Sequence, residues 1–214
     1  ATHKIVYLVN DWVYDSPIFG KLVKALGFFP VSQGIENGKE KLKEKIDQGY
    51  SLVVFPEAER SYTNDIKSFH KGAFYLAEEF SLDILPIYIH GNSEVLPKGD
   101  FIIYDGSITV KVGDRISNDD LSFGTTYKER AKNINAGFRN EFAKLRNEIE
   151  DENYFKKKLF LSFLYKETEV VTEVKQDFNK NKSVYFQLNQ YIAKDATILH
   201  IADDYGQKDI LLTL

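Results

Sequence analysis

The sequence predicts an α/β fold, a mixed and largely parallel sheet flanked by helices, carried on to a helical linker and a truncated βα start of a second domain. Three observations carry this. Short apolar, β-branched runs alternate with stretches of helical periodicity along the first 115 residues. One turn signal, Asp105-Gly106, stands between two strand-like runs near the end of that region. The composition then changes past about Asp151.

The elements follow in order. Lys4 to Val9 (KIVYLV) is apolar enough for a buried strand. Asp15 or Ser16 before Pro17 reads as a helix cap with proline in the first turn, and Ile18, Leu22, Val23 and Leu26 fall on one helical face closed by Gly27. Phe28 to Ser32 reads as a short strand. Glu36 to Gln48 reads as a Lys/Glu-rich helix with a narrow apolar stripe of Ile35, Leu42 and Ile46, ended by Gly49. Ser51 to Phe55 is the next strand. It stops at Pro56, passes through a charged loop, and re-enters order at Lys71-Gly72 with a helix carrying Ala73, Phe74, Leu76, Ala77 and Phe80. Asp83 to His90 is strand-like, and Phe101 to Tyr104 with Ser107 to Val112 reads as a hairpin about Asp105-Gly106. Apolar residues at 127, 131, 134, 138, 142, 145 and 149 predict a long amphipathic helix closing a first domain, 1–150. Residues 151–195 read as a helical linker, with an aromatic and lysine-rich run at Tyr154 to Tyr165 and a helical stretch around Val184 to Ile192. Residues 196–214 read as the start of another domain, a strand at Thr197 to Ile201 and the first turns of a helix.

Composition excludes several functions. A net charge of −4 and a pI near 5.7 argue against a nucleic-acid binder, which would carry a basic face. Cysteine is absent, which rules out a disulfide framework and a thiolate metal site, and His3, His70, His90 and His200 lack metal-ligand spacing, so no metal is expected. Methionine is also absent. That leaves two accounts open: an internal fragment, or a sequence that has lost its methionine positions, with some spacings a residue short.

The functional residues concentrate between Ser51 and Ala77. A strand, a polar loop and a helix start make the place where open α/β sheets gather ligands. A guanidinium, a hydroxyl and an ammonium near a helix N-terminus suit an anionic substrate. Phe55-Pro56-Glu57-Ala58-Glu59-Arg60-Ser61, followed by Phe69-His70-Lys71-Gly72, resembles the F-P-E-G-T-R-S and F-K-x-G blocks of the glycerolipid (1-acylglycerol-3-phosphate) acyltransferases. Ile18-Phe19-Gly20 and Gly27-Phe28-Phe29-Pro30-Val31 resemble the family's preceding segment, and Leu85-Pro86-Ile87 its following strand. The resemblance covers roughly residues 4 to 115.

The resemblance implies acyl transfer from acyl-CoA or acyl-carrier protein, with no other cofactor, to the hydroxyl of a lysophospholipid or similar glycerol phosphate. Arg60 and Ser61 would bind the acceptor's phosphate, Lys71 and the backbone at Gly72 would add charge and amide donors, and Glu57 would orient the acceptor or hold Arg60. Two departures stand out. Ala58 and Glu59 replace the block's glycine and threonine. The family's asparagine-histidine signature, with an aspartate after four further residues, is absent: Asn10-Asp11-Trp12-Val13-Tyr14-Asp15 has aspartate where the base should be and the wrong spacing. No catalytic residue is therefore assigned in this chain; the histidine and aspartate are expected upstream of Ala1, and the chain alone is expected to be inactive. A degenerate acyltransferase fold that binds lipid or a partner domain without catalysis is the alternative.

Blander readings stay open beside these. Glu57 and Arg60 could form a loop-stabilising ion pair, Lys71-Gly72 could only cap a helix, and His70 and His90 read better as structural residues. The 154–165 run could meet a membrane surface or pack in a core. Finally, Ile198-Leu199-His200-Ile201-Ala202-Asp203-Asp204-Tyr205-Gly206 resembles the first strand and glycine loop of class I methyltransferases, but only its last glycine survives and His200 replaces the acidic residue, so methyl transfer is not expected. An acyltransferase followed by a methyltransferase-like domain resembles bacterial fusion proteins with a membrane transporter domain in front. That resemblance implies a larger membrane protein with this part at the cytoplasmic face of the membrane.

Overall fold

The structure is a computed structural model that describes residues 4–17, 20–30, 38–60, 65–99, 102–193 and 196–213. His3, Ile18, Phe19, Val31, Ser32, Ile35, Glu36 and Ser61, which carry parts of the sequence reading, lie outside the described residues. Two compact units divide the chain, Ala1–Leu145 and Arg146–Leu214.

In the first unit, β1 (Lys4–Val9) is central to a three-stranded parallel sheet, with β2 (Phe29–Pro30) on one side and β3 (Tyr50–Val53) on the other. Tyr7 pairs with Val53, so the carboxyl ends of β1 and β3 reach the same edge. Between β1 and β2 lie α1 (Asp11–Tyr14), which the sequence did not signal, and α2 (Gly20–Ala25). Between β2 and β3 lies α3 (Lys39–Asp47), and α4 (Gly72–Glu79) follows the loop after β3. Val6, Leu8, Leu42 and Leu76 form the core beneath the sheet, with Leu52, Val54 and Ile46 packed against it. Lys39 of α3 pairs with Glu79 of α4. α3 has the expected narrow stripe: Leu42 is fully buried, while its lysines and glutamates are mostly solvated.

The face expected for α2 is corrected. Leu22 and Leu26 are exposed, and Val23 with Gly20 turns inward. Gly20 lies so close to α1 that a Cβ there would stand 2.7 Å from the Tyr14 carbonyl oxygen, which fixes the side of the helix that faces in.

The expected hairpin is also corrected. β5 (Thr109–Val112) pairs antiparallel with β4 (Ile87–His90), in a sheet separate from the parallel one among the described residues, and no strand forms over 102–108. The reason is local. The Tyr104 N–H donates to the Val95 carbonyl in α5 (Asn92–Val95) at 2.8 Å, and Gly106 lies outside the left-handed region that the two-residue turn requires. Left-handed Gly91 (φ +89) ends β4 where Ser107 passes so close that a side chain would collide with its carbonyl.

A 3₁₀ turn (Leu121–Phe123) then leads into α6 (Tyr127–Ile149), which buries Ala131, Ile134, Phe142 and Leu145 as its period predicts. Arg130 is buried as well, and its guanidinium donates to the carbonyls of Asp120 (2.6 Å) and Ser117 (3.1 Å).

The second unit is helical: α7 (Glu152–Ser162), α8 (Thr168–Tyr191) and α9 (Gln207–Thr213) bury Leu159, Phe163, Val174, Phe178, Tyr185 and Leu211 against one another. Within the 151–195 segment expected to be a helical linker, α7 and α8 form, and the segment contributes most of this core. Of the βα start expected at 196–214, the helix forms and the strand does not. Leu199 and Ile201 are exposed, because this unit offers no strand edge for them to pair with among its described residues.

Candidate functional site

The loop between β3 and α4 is folded back on itself by contacts that name their own causes. Phe55-Pro56-Glu57-Ala58 is a turn, with proline second and the Ala58 N–H donating to the Phe55 carbonyl at 3.0 Å. Ala58 has φ +58, a left-handed conformation that suits glycine and costs a residue with a Cβ about 1–2 kcal/mol. Ala58 therefore takes a backbone conformation that glycine adopts freely, at the position where the resembled block has glycine. Asn10, at the carboxyl end of β1, holds this turn: its amide donates to the Ala58 carbonyl at 2.5 Å.

The descending limb is pinned to the ascending one. A Glu57 carboxylate oxygen accepts the Lys67 N–H at 2.8 Å, and the His70 N–H donates to the Pro56 carbonyl at 2.7 Å. The Asn135 amide, from α6, donates to the Lys67 carbonyl at 2.9 Å. Phe69 packs on Phe74 and, edge-on, against Phe138. Lys71 and Gly72 are thereby seated next to the start of the loop. Lys71 is exposed at the N-cap position of α4, and the first turn of that helix contains no acidic residue, leaving the positive end of its dipole uncompensated.

Charge gathers on the other side of the loop. One Glu59 carboxylate oxygen accepts Lys67 Nζ at 2.5 Å and the other accepts Lys98 Nζ at 3.0 Å. These two hydrogen bonds hold the Glu59 carboxyl down at about 2. Arg60 lies 3.4 Å from the carbonyls of both Leu96 and Pro97.

The structure thus brings Lys71 and Gly72 back beside Pro56 and Glu57, and turns Arg60 toward the 96–98 segment. Among the described residues no ion pair joins Glu57 to Arg60; Glu57 spends its carboxylate on the loop's own backbone. Sequence reasoning missed Asn10 as the support of the turn, and Lys67 and Lys98 as Glu59's partners. Lys98 is distant in sequence and carried no signal. Asn10 stood in a stretch already singled out for another reason.

His90 is buried 6.2 Å from the Phe142 ring, in keeping with a structural role. Among the described residues no group of His, Cys, Asp or Glu could hold a metal ion, and no helix is long and apolar enough to cross a membrane.

A small parallel sheet with helices, and a loop at its carboxyl edge, defines the fold, and a solved structure shares that fold. The 1-acyl-sn-glycerophosphate (LPA) acyltransferase PlsC from Thermotoga maritima superposes with a TM-score of 0.53, covering 67% of this chain and 66% of that one at 18% identity, which shows the fold. Residues 2–90 match the Acyltransferase family model. Relatives include the 1-acyl-sn-glycerol-3-phosphate acyltransferase of Cocos nucifera, 30% identical over 49% of this chain and 35% of that protein. The enzyme of the same name from Saccharomyces cerevisiae is 30% identical over 43% of this chain and 29% of that protein. The chain spans about a third of the length of these curated relatives.

Proposed function

We propose that the chain is the acceptor-holding part of an acyltransferase that moves a fatty acyl group from acyl-CoA or acyl-carrier protein to a lysophosphatidic-acid-type acceptor. The observation that supports this best is the pinned loop between β3 and α4. It falls within the matched family segment, keeps left-handed geometry at Ala58, and presents cations on both limbs. Acyl transfer needs a clamp on the acceptor's phosphate to hold its hydroxyl at attack distance. Arg60, Lys71 and the Gly72 amide supply that clamp in this reading, with Ser61 beside Arg60 in sequence. Glu57 serves as the brace of the loop rather than as a ligand.

The reaction also needs a general base for the hydroxyl and donors for the oxyanion. The asparagine-histidine signature that would supply the base does not occur in this sequence. In this reading the chain binds the acceptor without turning it over.

The test is direct. The chain is titrated with lysophosphatidic acid by calorimetry, then incubated with acyl-CoA and the same acceptor. Binding with no phosphatidic acid formed is the expected result. Turnover by the chain alone, or no binding, contradicts the reading. The non-catalytic alternative is favoured by one observation, that Glu59 already neutralises Lys67 and Lys98. It gains if any longer form of the protein, assayed the same way, forms no phosphatidic acid.

A further inference from the structure

Helix α7 is apolar on two sides. Its inner side carries Leu159 and Phe163 into the core of the second unit, in one cluster with Val174 and Phe178 of α8. Its outer side carries Lys157, Leu161 and Leu164 at i, i+4 and i+7, so the three share a face. Leu164 lies just past the helix end, where its N–H donates to the Leu161 carbonyl at 3.2 Å and prolongs the turn. Leu161 is 42% exposed, Leu164 59% and the adjoining Tyr165 95%. A surface helix ordinarily turns a polar face to water, and one that is apolar all round is ordinarily covered.

The charge of this segment is one-sided as well. Residues 154–166 hold Lys156, Lys157, Lys158 and Lys166 and no acidic residue, in a chain whose net charge is −4. The acids just before them are engaged: Asp151 accepts the Tyr154 N–H at 2.9 Å, and Glu152 pairs with Lys182. Acidic residues resume only at Glu167. Lys156 Nζ lies 5.9 Å from the Phe160 ring and Lys158 Nζ 5.8 Å from the Tyr154 ring, so their stems run along aromatic surface.

We propose that the outer face of α7, with Tyr165, docks the second unit on an anionic phospholipid surface. The leucines and the tyrosine enter the boundary between headgroups and acyl chains, and the lysines meet lipid phosphate. The composition of the face favours lipid over protein. Protein interfaces are depleted of lysine, whereas leucine, tyrosine and lysine together suit a bilayer boundary. The face lies outside residues 2–90 and uses no part of the loop after β3, so it stands or falls apart from the acyltransferase reading.

The experiment co-sediments the full chain with vesicles of phosphatidylcholine and with vesicles of mixed phosphatidylcholine and phosphatidylglycerol. Neither contains a lysophospholipid. Tighter binding to the mixed vesicles, weakened by salt, is the expected result. Each lysine near an anionic surface is worth about fivefold in binding, so Lys157→Glu with Lys166→Glu should weaken it about tenfold or more. Leu161→Asn with Leu164→Asn should also weaken it about tenfold, by removing the apolar contact. Circular dichroism checks that the helices persist, and the lysine pair carries the test by itself if the leucine pair loses them. Lys128→Glu with Lys132→Glu, an equal change of charge on the exposed side of α6, should have far less effect. No preference for the mixed vesicles overturns the proposal, as do α7 variants that bind like the unaltered chain or an α6 variant that loses as much. Self-association abolished by the leucine substitutions, with no vesicle binding, assigns the face to a second copy and overturns it too.

Discussion

Ala58→Gly tests the loop's architecture, because the substitution relieves a strain that can be placed on one dihedral angle. Ala58 has φ +58, and a non-glycine residue there costs about 1–2 kcal/mol. Glycine removes that cost but loosens the unfolded chain by about 0.4–1 kcal/mol. At mid-range values the difference leaves a stabilisation of about 0.8 kcal/mol. The chain's only tryptophan, Trp12, lies in α1, two residues beyond the Asn10 that holds the Ala58 carbonyl, so its fluorescence reports the unit that contains the loop. With a urea slope of about 2 kcal/mol per molar, the Trp12 midpoint should rise by about 0.3–0.5 M. Ala58→Val should move it the other way, because a β-branched side chain tolerates positive φ least. A midpoint for Ala58→Gly equal to or below that of the parent would refute the left-handed turn.

Two further outcomes are expected. Leu42→Ala, at a fully buried position between α3 and the sheet, should cost about 2–5 kcal/mol in the same assay; a loss under about 1 kcal/mol would mean that α3 is not packed as described. In the second unit, burial disfavours the Asp177 carboxylate, but hydrogen bonds from Tyr185, Gln207 and Asn181 outweigh it and hold its pKa below the ordinary aspartate value. The folded state therefore binds this proton less readily than the unfolded state. The stability it brings is present above the unfolded pKa of about 4 and is lost as pH falls from there through the folded value. Asp177→Asn should flatten the acid limb of the helical circular-dichroism signal; an identical acid limb would remove Asp177 from it.

Much of the first unit was legible because its signals are local. β1 follows an apolar run of six residues, and α6 a period sustained over 23 residues. The failures share one cause, that pairing partners are not written in the strand itself. Ser107 to Val112 looked like half of a hairpin, but its pairing residues found β4, and the preceding residues bonded to α5. Thr197 to Ile201 looked like a strand and had no edge to join. In α2, Leu22, Val23 and Leu26 looked like one core face, but of these only Val23 is buried, with Gly20 close against α1. The loop residues were legible from their block, whereas the contacts that shape the loop join segments up to 68 residues apart and no short-range pattern announces them.

If the loop after β3 holds the phosphate of an acyl acceptor, Arg60→Ala weakens acceptor binding. Arg60 is exposed, and its described contacts are long ones to two carbonyls, so the substitution should leave the fold intact. Calorimetric titration with lysophosphatidic acid should show binding to the parent chain and about a tenfold or greater loss in Arg60→Ala, as expected for one charged hydrogen-bonding partner of a phosphate. Equal affinity in the two proteins would contradict the account.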